Sequence, residues 1–456
     1  AAFKAGSSSD GVTISDAVGA GAGLNFLVTA ANLAKVKDGG IGTITLTDAL
    51  LGSTLNSVAK GGKFAANSVK LNDGTIVGTD ETTAAVTYVA KIADAQIDAI
   101  TVTGAQYAAL ALNAGTIAAL SDNSLTLAVG GSETVDLSAD TDIGDLITGN
   151  TVTIASGGAL TIAAGEITGQ GVTGGGAITV NGVGSSTNLS NVNPGTVTAT
   201  VANGVNLSTN TTNLANIDNL VLQSGADVTL TIAQQNKITA ATGNNTVTLS
   251  DAGTFSGSQF VEEYQLASAA NNVFTTNAAG QTVTGGSEAD TIIGSAGVDI
   301  LRGGSGTAVD KFEFASSDAS AARFVDDNFS SNISDNDHFF GHFDVVKDFV
   351  TGQDKIDLEA LTFFNSNYTG SEIYVDAGNV LPAMNDVVQG FALLIKGTYT
   401  ETVGAGEDSF VVNLAGGLDT LIYFDTGGTN RGIILDNSIL ADGNVGDTIN
   451  SSVDFI

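Results

Sequence analysis

Apolar and polar residues alternate along several short segments between residues 151 and 284, and this alternation is the main structural signal in the chain. A period of two residues predicts half-buried β-strands, because successive side chains of a strand point to opposite faces. Asparagine followed by glycine, at positions 181–182 and 203–204, is a strong turn signal between such strands. The segments that alternate most clearly are residues 151–154, 177–180, 196–201, 228–232 and 246–250.

Two arrangements of these strands fit the alternation, an antiparallel sandwich and a parallel solenoid. The later part of the region favours the solenoid, since Val273, Val283 and Ile292 recur at intervals of ten and nine residues. In a solenoid, side-chain amides can stack as ladders at the corners of successive turns, although ordinary turn chemistry explains the same residues equally well. The asparagines concerned are Asn244, Asn245, Asn271 and Asn272.

Residues 1–150 show a mixed pattern, which predicts a mixed α/β or β-rich first domain. Some stretches are rich in alanine at loosely helical spacing, and others alternate as strands do. The predicted helices are residues 30–36, 84–99 and 105–110, and the predicted strands are residues 41–47 and 97–103. With a second domain at 151–284 and a third at 285–456, the length of the chain is accounted for by three domains.

Residues 285–314 contain three consecutive units that open with small residues, place an aspartate and close with apolar residues. This is the nine-residue pattern of a parallel β-roll that binds calcium between its turns. Each unit supplies one tight turn and one short strand, and it stacks on the unit two further along. Gly285 and Gly303 are eighteen residues apart, as this stacking requires, and Ile292 and Ile300 are predicted to point into the core.

Calcium takes six to eight oxygen ligands in a flexible cage, and these turns supply carboxylate, hydroxyl and backbone oxygens. The pattern is imperfect, because Glu288 and Ser295 stand where glycine is usual and Asp310 comes two residues late. A plain glycine-rich loop is the alternative interpretation. The candidate Ca²⁺ ligands are Gly285, Gly286, Ser287, Asp290, Gly294, Gly297, Asp299, Gly303, Gly304, Gly306 and Asp310.

Together with these repeats, four later segments resemble the RTX family, the "repeats in toxin" secreted proteins. Residues 310–314 resemble the strand that closes the roll, residues 344–358 the cap after the repeats, and residues 419–428 the strand and turn that follow. Residues 453–456, an acid within terminal apolar residues, resemble the uncleaved signal that type I exporters read. The resemblance covers roughly the last 175 residues.

The resemblance implies a calcium-binding β-roll with a β-rich C-terminal cap, and it also implies a route and a compartment. Together with the patterns of the earlier residues, it leads us to expect a mainly β fold: a parallel β-solenoid running into this β-roll and cap, after a mixed α/β N-terminal region. Such chains leave a Gram-negative cell through the type I secretion machinery, C-terminus first, and fold outside where calcium is plentiful. Because clustered carboxylates repel one another without metal, the energy of calcium binding becomes folding energy.

Residues 318–343 mix acids with aromatic residues and interrupt the expected passage from roll to cap. They hold both histidines, His338 and His342, at a spacing that would suit zinc on a helix. Gly341 disfavours a helix and no glutamate lies between the histidines, so a loop fixed by its aromatic side chains is the favoured interpretation. Asp335 and Asp337 are candidates for a second calcium site, although their spacing does not match an EF-hand.

The charge of the chain is strongly negative, with 48 acids and 15 bases and a net charge of -33. Residues 281–456 hold 27 of the acids and 7 of the bases. Such a field repels nucleic acid and anionic lipid and attracts divalent cations. No apolar run approaches the ~20 residues of a membrane helix, so no membrane insertion is expected. There are no cysteines, which suits a secreted protein stabilised by metal ions instead of disulfides.

The N-terminal sequence shows no signal peptide and no methionine, which indicates a processed or cut end. Common catalytic motifs are missing: there is no His-Glu-x-x-His, no Gly-x-Ser-x-Gly and no thiol. Tryptophan, frequent in sugar subsites, is absent. These features predict a non-enzymatic, extracellular structural subunit that self-assembles with calcium into a surface layer or filament. The alternatives are an adhesin or biofilm-matrix protein, then a polysaccharide-modifying enzyme; a cell-surface polysaccharide is a further candidate partner.

Overall fold

The computed structural model shows a mainly β protein that forms a parallel, stacked β-solenoid of about nine turns. The fold class expected from the sequence is therefore confirmed. The residues that the structure describes are 12–13, 43–46, 68–71, 99–103, 124–139, 143, 147, 151–315, 321–325, 334–359, 373–375, 392–402, 406–413, 416–425 and 430–438. Within these ranges no helix is long and apolar enough to span a membrane.

The chain divides into two compact units. The first contains residues 1–202 and 209–221, and the second contains residues 203–208 and 222–456. The boundaries predicted at 150 and 284 remain a prediction. The predicted helices at 30–36 and 105–110, and all but the last residue of the one at 84–99, lie outside the described residues.

The first unit is built from short strands and one helical turn. Two parallel sheets are formed, one in the order β1-β2-β3-β4-β5-β7-β9-β11 and one containing β6-β8-β10-β12. The elements are β1 (Val12–Thr13), β2 (Thr43–Leu46), β3 (Ser68–Leu71), β4 (Ala99–Thr103), β5 (Ser124–Val129), β6 (Thr134–Leu137), β7 (Thr151–Ile154), β8 (Ala159–Ala163), α1 (Ala164–Ile167), β9 (Gly171–Gly174), β10 (Ala177–Asn181), β11 (Val192–Asn193), β12 (Thr196–Val201) and, for all but its last residue, β13 (Asn219–Leu222).

The alternation seen in the sequence explains these strands. In β8 the side chains of Leu160 and Ile162 are buried, and Ile178 and Val180 of β10 are their direct partners in the next turn. The parallel register repeats with β12, where Val197 continues the same apolar column. The antiparallel sandwich considered for residues 151–284 is therefore wrong, because every strand pair recorded there is parallel.

The second unit contains the rest of the strands and one further helical turn. The elements are β14 (Asp227–Leu230), α2 (Ile232–Gln235), β15 (Ile238–Ala240), β16 (Thr246–Leu249), β17 (Thr254–Ser256), β18 (Glu263–Gln265), β19 (Val273–Thr275), β20 (Thr282–Thr284), β21 (Thr291–Gly294), β22 (Ile300–Arg302), β23 (Lys311–Ala315), β24 (Ala322–Val325), β25 (His338–Gly341), β26 (Asp344–Val346), β27 (Lys355–Glu359), β28 (Ile373–Val375), β29 (Ala392–Thr400), β30 (Asp408–Val412), β31 (Asp419–Asp425) and β32 (Asn430–Leu435). A capping box between Thr231 and Gln234 satisfies the first amides of α2.

Two parallel sheets form the solenoid of this unit, β14-β16-β18-β20-β22-β26 and β17-β19-β21-β23-β27. The first of them continues from β26 into β32 and then through the antiparallel pairs β32-β31-β29-β30-β25-β24. These antiparallel strands form the cap. Its core packs the rings of Phe339, Phe343, Phe410 and Tyr423, all fully buried.

One position predicted to point into the core does not do so. Leu301 is fully buried in β22, so Ile300 faces outward. The true inward residue is the neighbour in sequence, and a shift of one residue exchanges the two faces of a strand. Ile292 is fully buried, as predicted. In β19 the inward residue is Phe274, next to Val273, and in β20 it is Val283.

Candidate metal centre

The late solenoid turns of the second unit stack their corner residues in two columns. The first column, here called the Asp290 edge, leads into β19, β21, β23 and β27; its members are Asn272, Asp290, Asp310 and Asp354. The second, the Asp299 edge, leads into or opens β20, β22 and β26; its members are Gln281, Asp299 and Asp344. Because the strands pair in parallel register, consecutive members of a column lie side by side.

Side chains on the Asp290 edge form a ladder with the backbone. The backbone and side-chain N–H groups of Asn272 donate to Asp290 Oδ1 at 2.7 and 2.8 Å. The amide of Asp290 donates to Asp310 Oδ1 at 2.9 Å, and the amide of Asp310 donates to Asp354 Oδ1 at 3.0 Å. Each carboxylate thus accepts from the residue one turn earlier, which satisfies buried amides that no strand partner reaches.

The Asp299 edge repeats this arrangement. The amide of Gln281 donates to Asp299 Oδ1 at 2.7 Å, and the amide of Asp299 donates to Asp344 Oδ1 at 2.9 Å. The second oxygen of Asp299 accepts from Thr276 Oγ1 at 2.7 Å and from the Ser295 amide at 3.2 Å. Protein donors therefore occupy both oxygens of this buried carboxylate.

The two asparagines predicted as ladder members at 245 and 272 take part in such contacts. Asn245 Oδ1 accepts from the amide of Ala226 at 2.8 Å, in the turn before it. Asn272 is almost fully buried and holds the Asp290 carboxylate. Asn245 and Asn272 also donate to carbonyl oxygens of their own turns, so they combine ordinary turn hydrogen bonds with contacts to a neighbouring turn. Asn244 and Asn271 are exposed.

Glycines let the turns of the Asp290 edge approach one another closely. A Cβ at Gly285 would collide with the Gly303 carbonyl oxygen and lie 2.6 Å from Asp290 Oδ2, and a Cβ at Gly303 would collide with Asp310 Oδ2. Gly304 has φ +104°, and a Cβ there would meet the carbonyl oxygens of Gly286 and Gly285. Carbonyl and carboxylate oxygens therefore gather in the space that side chains would otherwise fill.

Three acids that the sequence reasoning did not select lie at these corners: Asp344 and Asp354 complete the two columns, and Asp348 lies beside the Gly303 turn. Asp344 and Asp354 accept from the amides of Asp299 and Asp310, as described above. Asp348 caps the glycine turn, since its two oxygens accept from the amides of Gly303 and Gly304 at 2.8 and 2.9 Å. For Asp344 and Asp354 the available signal was an aspartate immediately before or opening an apolar strand, the same position that Asp290 and Asp299 occupy.

The charges of these acids act on Asp310. Burial is the main cause that raises the pKa of its carboxyl to about 7, and the amide hydrogen bond from Asp290 opposes this rise. The negative charges of Asp354, Asp290 and Asp348 raise the pKa further. Burial also raises the pKa of Asp354. A nearby cation would lower the free energy of the ionised carboxylates, because it would offset the repulsion between them.

The donor set fits Ca²⁺ in chemistry, since it consists of carboxylate and carbonyl oxygens at a glycine turn, with Asp310 Oδ2 facing Gly303. Within the described ranges, no three histidine, cysteine, aspartate or glutamate side chains come close enough together to hold a metal ion by themselves. A calcium ion here would therefore depend on backbone carbonyls and water for most of its ligands. Both are ordinary calcium ligands.

The other predicted ligands are distributed over both edges. Ser287 lies on the Asp290 edge and its hydroxyl donates to the Ser268 carbonyl at 2.7 Å, and Gly306 stacks on Ser287 with φ +154°. Gly294 and Gly297 belong to the Asp299 edge. A Cβ at Gly294 would meet the Phe314 ring, so this glycine serves packing, and Gly297 has φ +125° against Gly280.

The structure separates the second candidate calcium pair from both edges. Asp337 is fully buried and its Oδ2 accepts from the amide and hydroxyl of Ser334, whereas Asp335 is exposed. His338 lies in β25, paired antiparallel with β24 and β30, so the loop expected around the histidines is in fact a strand. The His338 ring stacks on Phe340 at 5.6 Å, and His342 is exposed.

Comparison with known proteins adds no relative to this geometry. The chain matches no family model, no curated protein and no solved structure. The RTX resemblance therefore stays a prediction that rests on the motifs of the chain.

Proposed function

We propose that this chain is an extracellular structural subunit whose late solenoid turns are stabilised by Ca²⁺ and which self-assembles with calcium. The observation that carries the proposal is the Asp290 edge, where the negative charges of Asp290, Asp354 and the neighbouring Asp348 all act on the buried carboxyl of Asp310. Parallel stacking fixes these acids next to each other whether or not they repel. A divalent cation is the simplest partner that turns this repulsion into attraction.

Calcium would then link folding to the compartment. Extracellular modules hold calcium with dissociation constants of about 0.1–1 mM, so the ion is bound outside a cell and not in its cytosol. Export through a type I secretion system, with the C-terminus as its signal, fits this order of events. The C-terminal segment 453–456 that resembles the signal lies outside the described residues.

The outer faces of the solenoid support a structural role. In the first unit, Thr161, Thr179 and Thr198 follow one another in register, and alternate residues of the same strands fill the core. Such faces repeat from turn to turn, which gives a second copy a regular surface to contact. With a net charge of -33, copies repel one another until divalent ions reduce the charge. A surface layer or filament of a Gram-negative bacterium is the assembly that this proposal favours, with a cell-surface polysaccharide as its attachment.

Particle size measured against calcium concentration tests the proposal. We expect light scattering of the full chain to report growing particles as calcium rises through the millimolar range, with ordered sheets or fibres in electron micrographs. EDTA should reverse the growth, and magnesium at equal ionic strength is the control for screening. Dispersed particles in calcium would favour an adhesin, and particles of unchanged size and stability would contradict the proposal.

A further inference from the structure

Two turns of the solenoid carry the same three residues in sequence, asparagine, glycine and valine, at positions 181–183 and 203–205. In both turns the glycine is exposed and has a positive φ, +74° at Gly182 and +77° at Gly204. A Cβ at either glycine would meet nothing within 4 Å. Asparagine before glycine is open to a self-reaction, because no side chain shields the glycine nitrogen from the asparagine amide.

This self-reaction consumes only water. The backbone nitrogen of the glycine bonds to Cγ of the asparagine and gives up its proton, while Oδ1 takes up a proton. That proton then moves to Nδ2 as the bond from Cγ to Nδ2 breaks, and ammonia leaves behind a five-membered succinimide ring. Water opens the ring at either carbonyl. One opening gives aspartate, and the other gives isoaspartate, in which the chain runs through the side-chain carboxyl.

At Asn181 a single hydroxyl group contacts both atoms that exchange protons. The N–H of Gly182 donates to Thr200 Oγ1 at 3.2 Å, and Thr200 Oγ1 donates to Asn181 Oδ1 at 3.2 Å. The parallel register of β10 and β12, continued by one residue, places Thr200 beside Asn181. Because a hydroxyl both accepts and donates, this one can take the proton of the attacking nitrogen and pass its own to the oxygen.

The second turn has different partners at the same two atoms. Asn203 Oδ1 accepts from the amide of Asp227 at 2.8 Å, and the amide of Gly204 donates to the Asp227 carbonyl at 2.8 Å. A peptide N–H only donates and a peptide carbonyl only accepts. The backbone of Asp227 therefore holds both groups in place without passing a proton from one to the other.

We propose that Asn181 is a site of spontaneous deamidation for which Thr200 serves as the proton relay, and that Asn203 is protected by its backbone partners. The product adds a negative charge where the chain has almost none, since Glu166 is the single charged residue in positions 151–217. Isoaspartate also lengthens the backbone by a methylene group at the end of β10. Neither calcium nor the proposed assembly is needed for this reaction.

Peptide mass mapping of the full chain during incubation at about pH 8 tests this proposal. We expect Asn181 to convert about tenfold faster than Asn203, which is below the usual contribution of a side chain whose pKa suits acid–base catalysis. Thr200→Val removes the hydroxyl and keeps the branched shape, so it should slow conversion at Asn181 to the rate at Asn203. Thr200→Ser keeps the hydroxyl and should keep the fast rate. Asn203 in the same samples is the internal control.

The same measurement in urea provides the reference, because both asparagines are followed by glycine and valine and should convert equally once unfolded. Equal rates at the two sites of the folded chain would overturn the proposal. So would a rate at Asn181 that Thr200→Val leaves unchanged or raises while circular dichroism shows a folded protein. If Thr200→Val does not fold, the comparison of Asn181 with Asn203 in the unmodified chain decides the question.

Discussion

Asp299 illustrates how a single buried carboxylate can hold a solenoid corner together. It accepts from Gln281, Thr276 and Ser295, and its own amide donates to Asp344 in the next turn. Hydrogen bonds to a charged acceptor are stronger than neutral ones, and a buried donor that loses its acceptor bears the full cost of desolvation. These hydrogen bonds give Asp299 a structural role.

Replacing this residue should destabilise the protein with or without calcium. We expect Asp299→Ala to lower the free energy of unfolding by about 3 kcal/mol, since it leaves the Gln281 amide and two further donors without an acceptor. Denaturant unfolding followed by circular dichroism measures this. The exposed acid Glu288 provides the control, and Glu288→Ala should change stability by no more than about 0.5 kcal/mol. Equal losses in the two variants would mean that the ladder contributes nothing.

The raised pKa of Asp310 predicts how the free energy of unfolding depends on pH when calcium is removed. Its folded pKa of about 7 lies above the ordinary value of 3.8, so the folded state binds more protons between these limits. In EDTA, the contribution of this group to the free energy of unfolding should therefore fall as the pH rises from about 4 to about 7. Asp354, whose pKa is also raised, acts in the same direction.

The measurement is the unfolding midpoint in EDTA at pH 5 and at pH 8, compared between the unmodified chain and Asp310→Asn. We expect the unfolding midpoints at the two pH values to differ less in the variant, because the titrating group is gone. Calcium affinity should show the opposite trend and weaken below pH 7, since protons compete for the same oxygen. A difference that is unchanged in the variant would count against this assignment.

Sequence reasoning found the carboxylates but not their contacts. Asp290 and Asp299 stand out through spacing, and both prove to be buried corner residues. What spacing does not reveal is which donors reach them, because Asn272, Thr276 and Gln281 come from the preceding turn, 18 to 23 residues away. These contacts therefore could not be predicted from the sequence.

At the scale of elements, the glycine turns and the strands between them place different demands on the sequence. Gly304 and Gly352 both have positive φ, at +104° and +79°. Gly304 also faces the carbonyl oxygens of Gly286 and Gly285, whereas a Cβ at Gly352 would meet nothing within 4 Å. Comparing these two glycines therefore separates the effect of backbone strain from the effect of close approach between turns.

Alanine at these two positions should therefore have unequal effects. We expect Gly352→Ala to cost about 1 kcal/mol, the strain of a left-handed residue. Gly304→Ala should cost about 3 kcal/mol, because the turns must also move apart. Thermal unfolding of both variants measures the difference. Equal losses would show that the late turns of the Asp290 edge are not packed as closely as described.

Strand positions were predictable, whereas strand faces and the hairpin of the cap were not. The alternation at residues 177–180 and 196–201 identifies β10 and β12. In three-residue strands such as β22, the pattern is too short to fix the inward residue, which is Leu301 and not Ile300. β25 escaped prediction because Gly341 and the acids around it indicated a loop, although it pairs with the nearby β24 and with β30, which lies about 70 residues later in the chain.

At the scale of the whole molecule, charge and topology are the properties on which the proposed response to calcium depends. A parallel solenoid stacks equivalent corners, so an acid in each turn repeats its charge along an edge. The chain carries 48 acids and 15 bases, and no cysteine is present to add a disulfide. The composition alone predicted an affinity for divalent cations, and that affinity stays a prediction; the stacked corners are where the proposed function places the ion.

If calcium binding stabilises the fold, as we propose, the free energy of unfolding at equilibrium must rise with calcium concentration. With a dissociation constant of about 0.3 mM, about 10 mM calcium should add about 2 kcal/mol to the free energy of unfolding, and magnesium should add much less. The Asp310→Asn variant should lose this gain. Unfolding curves that coincide in EDTA and in 10 mM calcium would contradict the account.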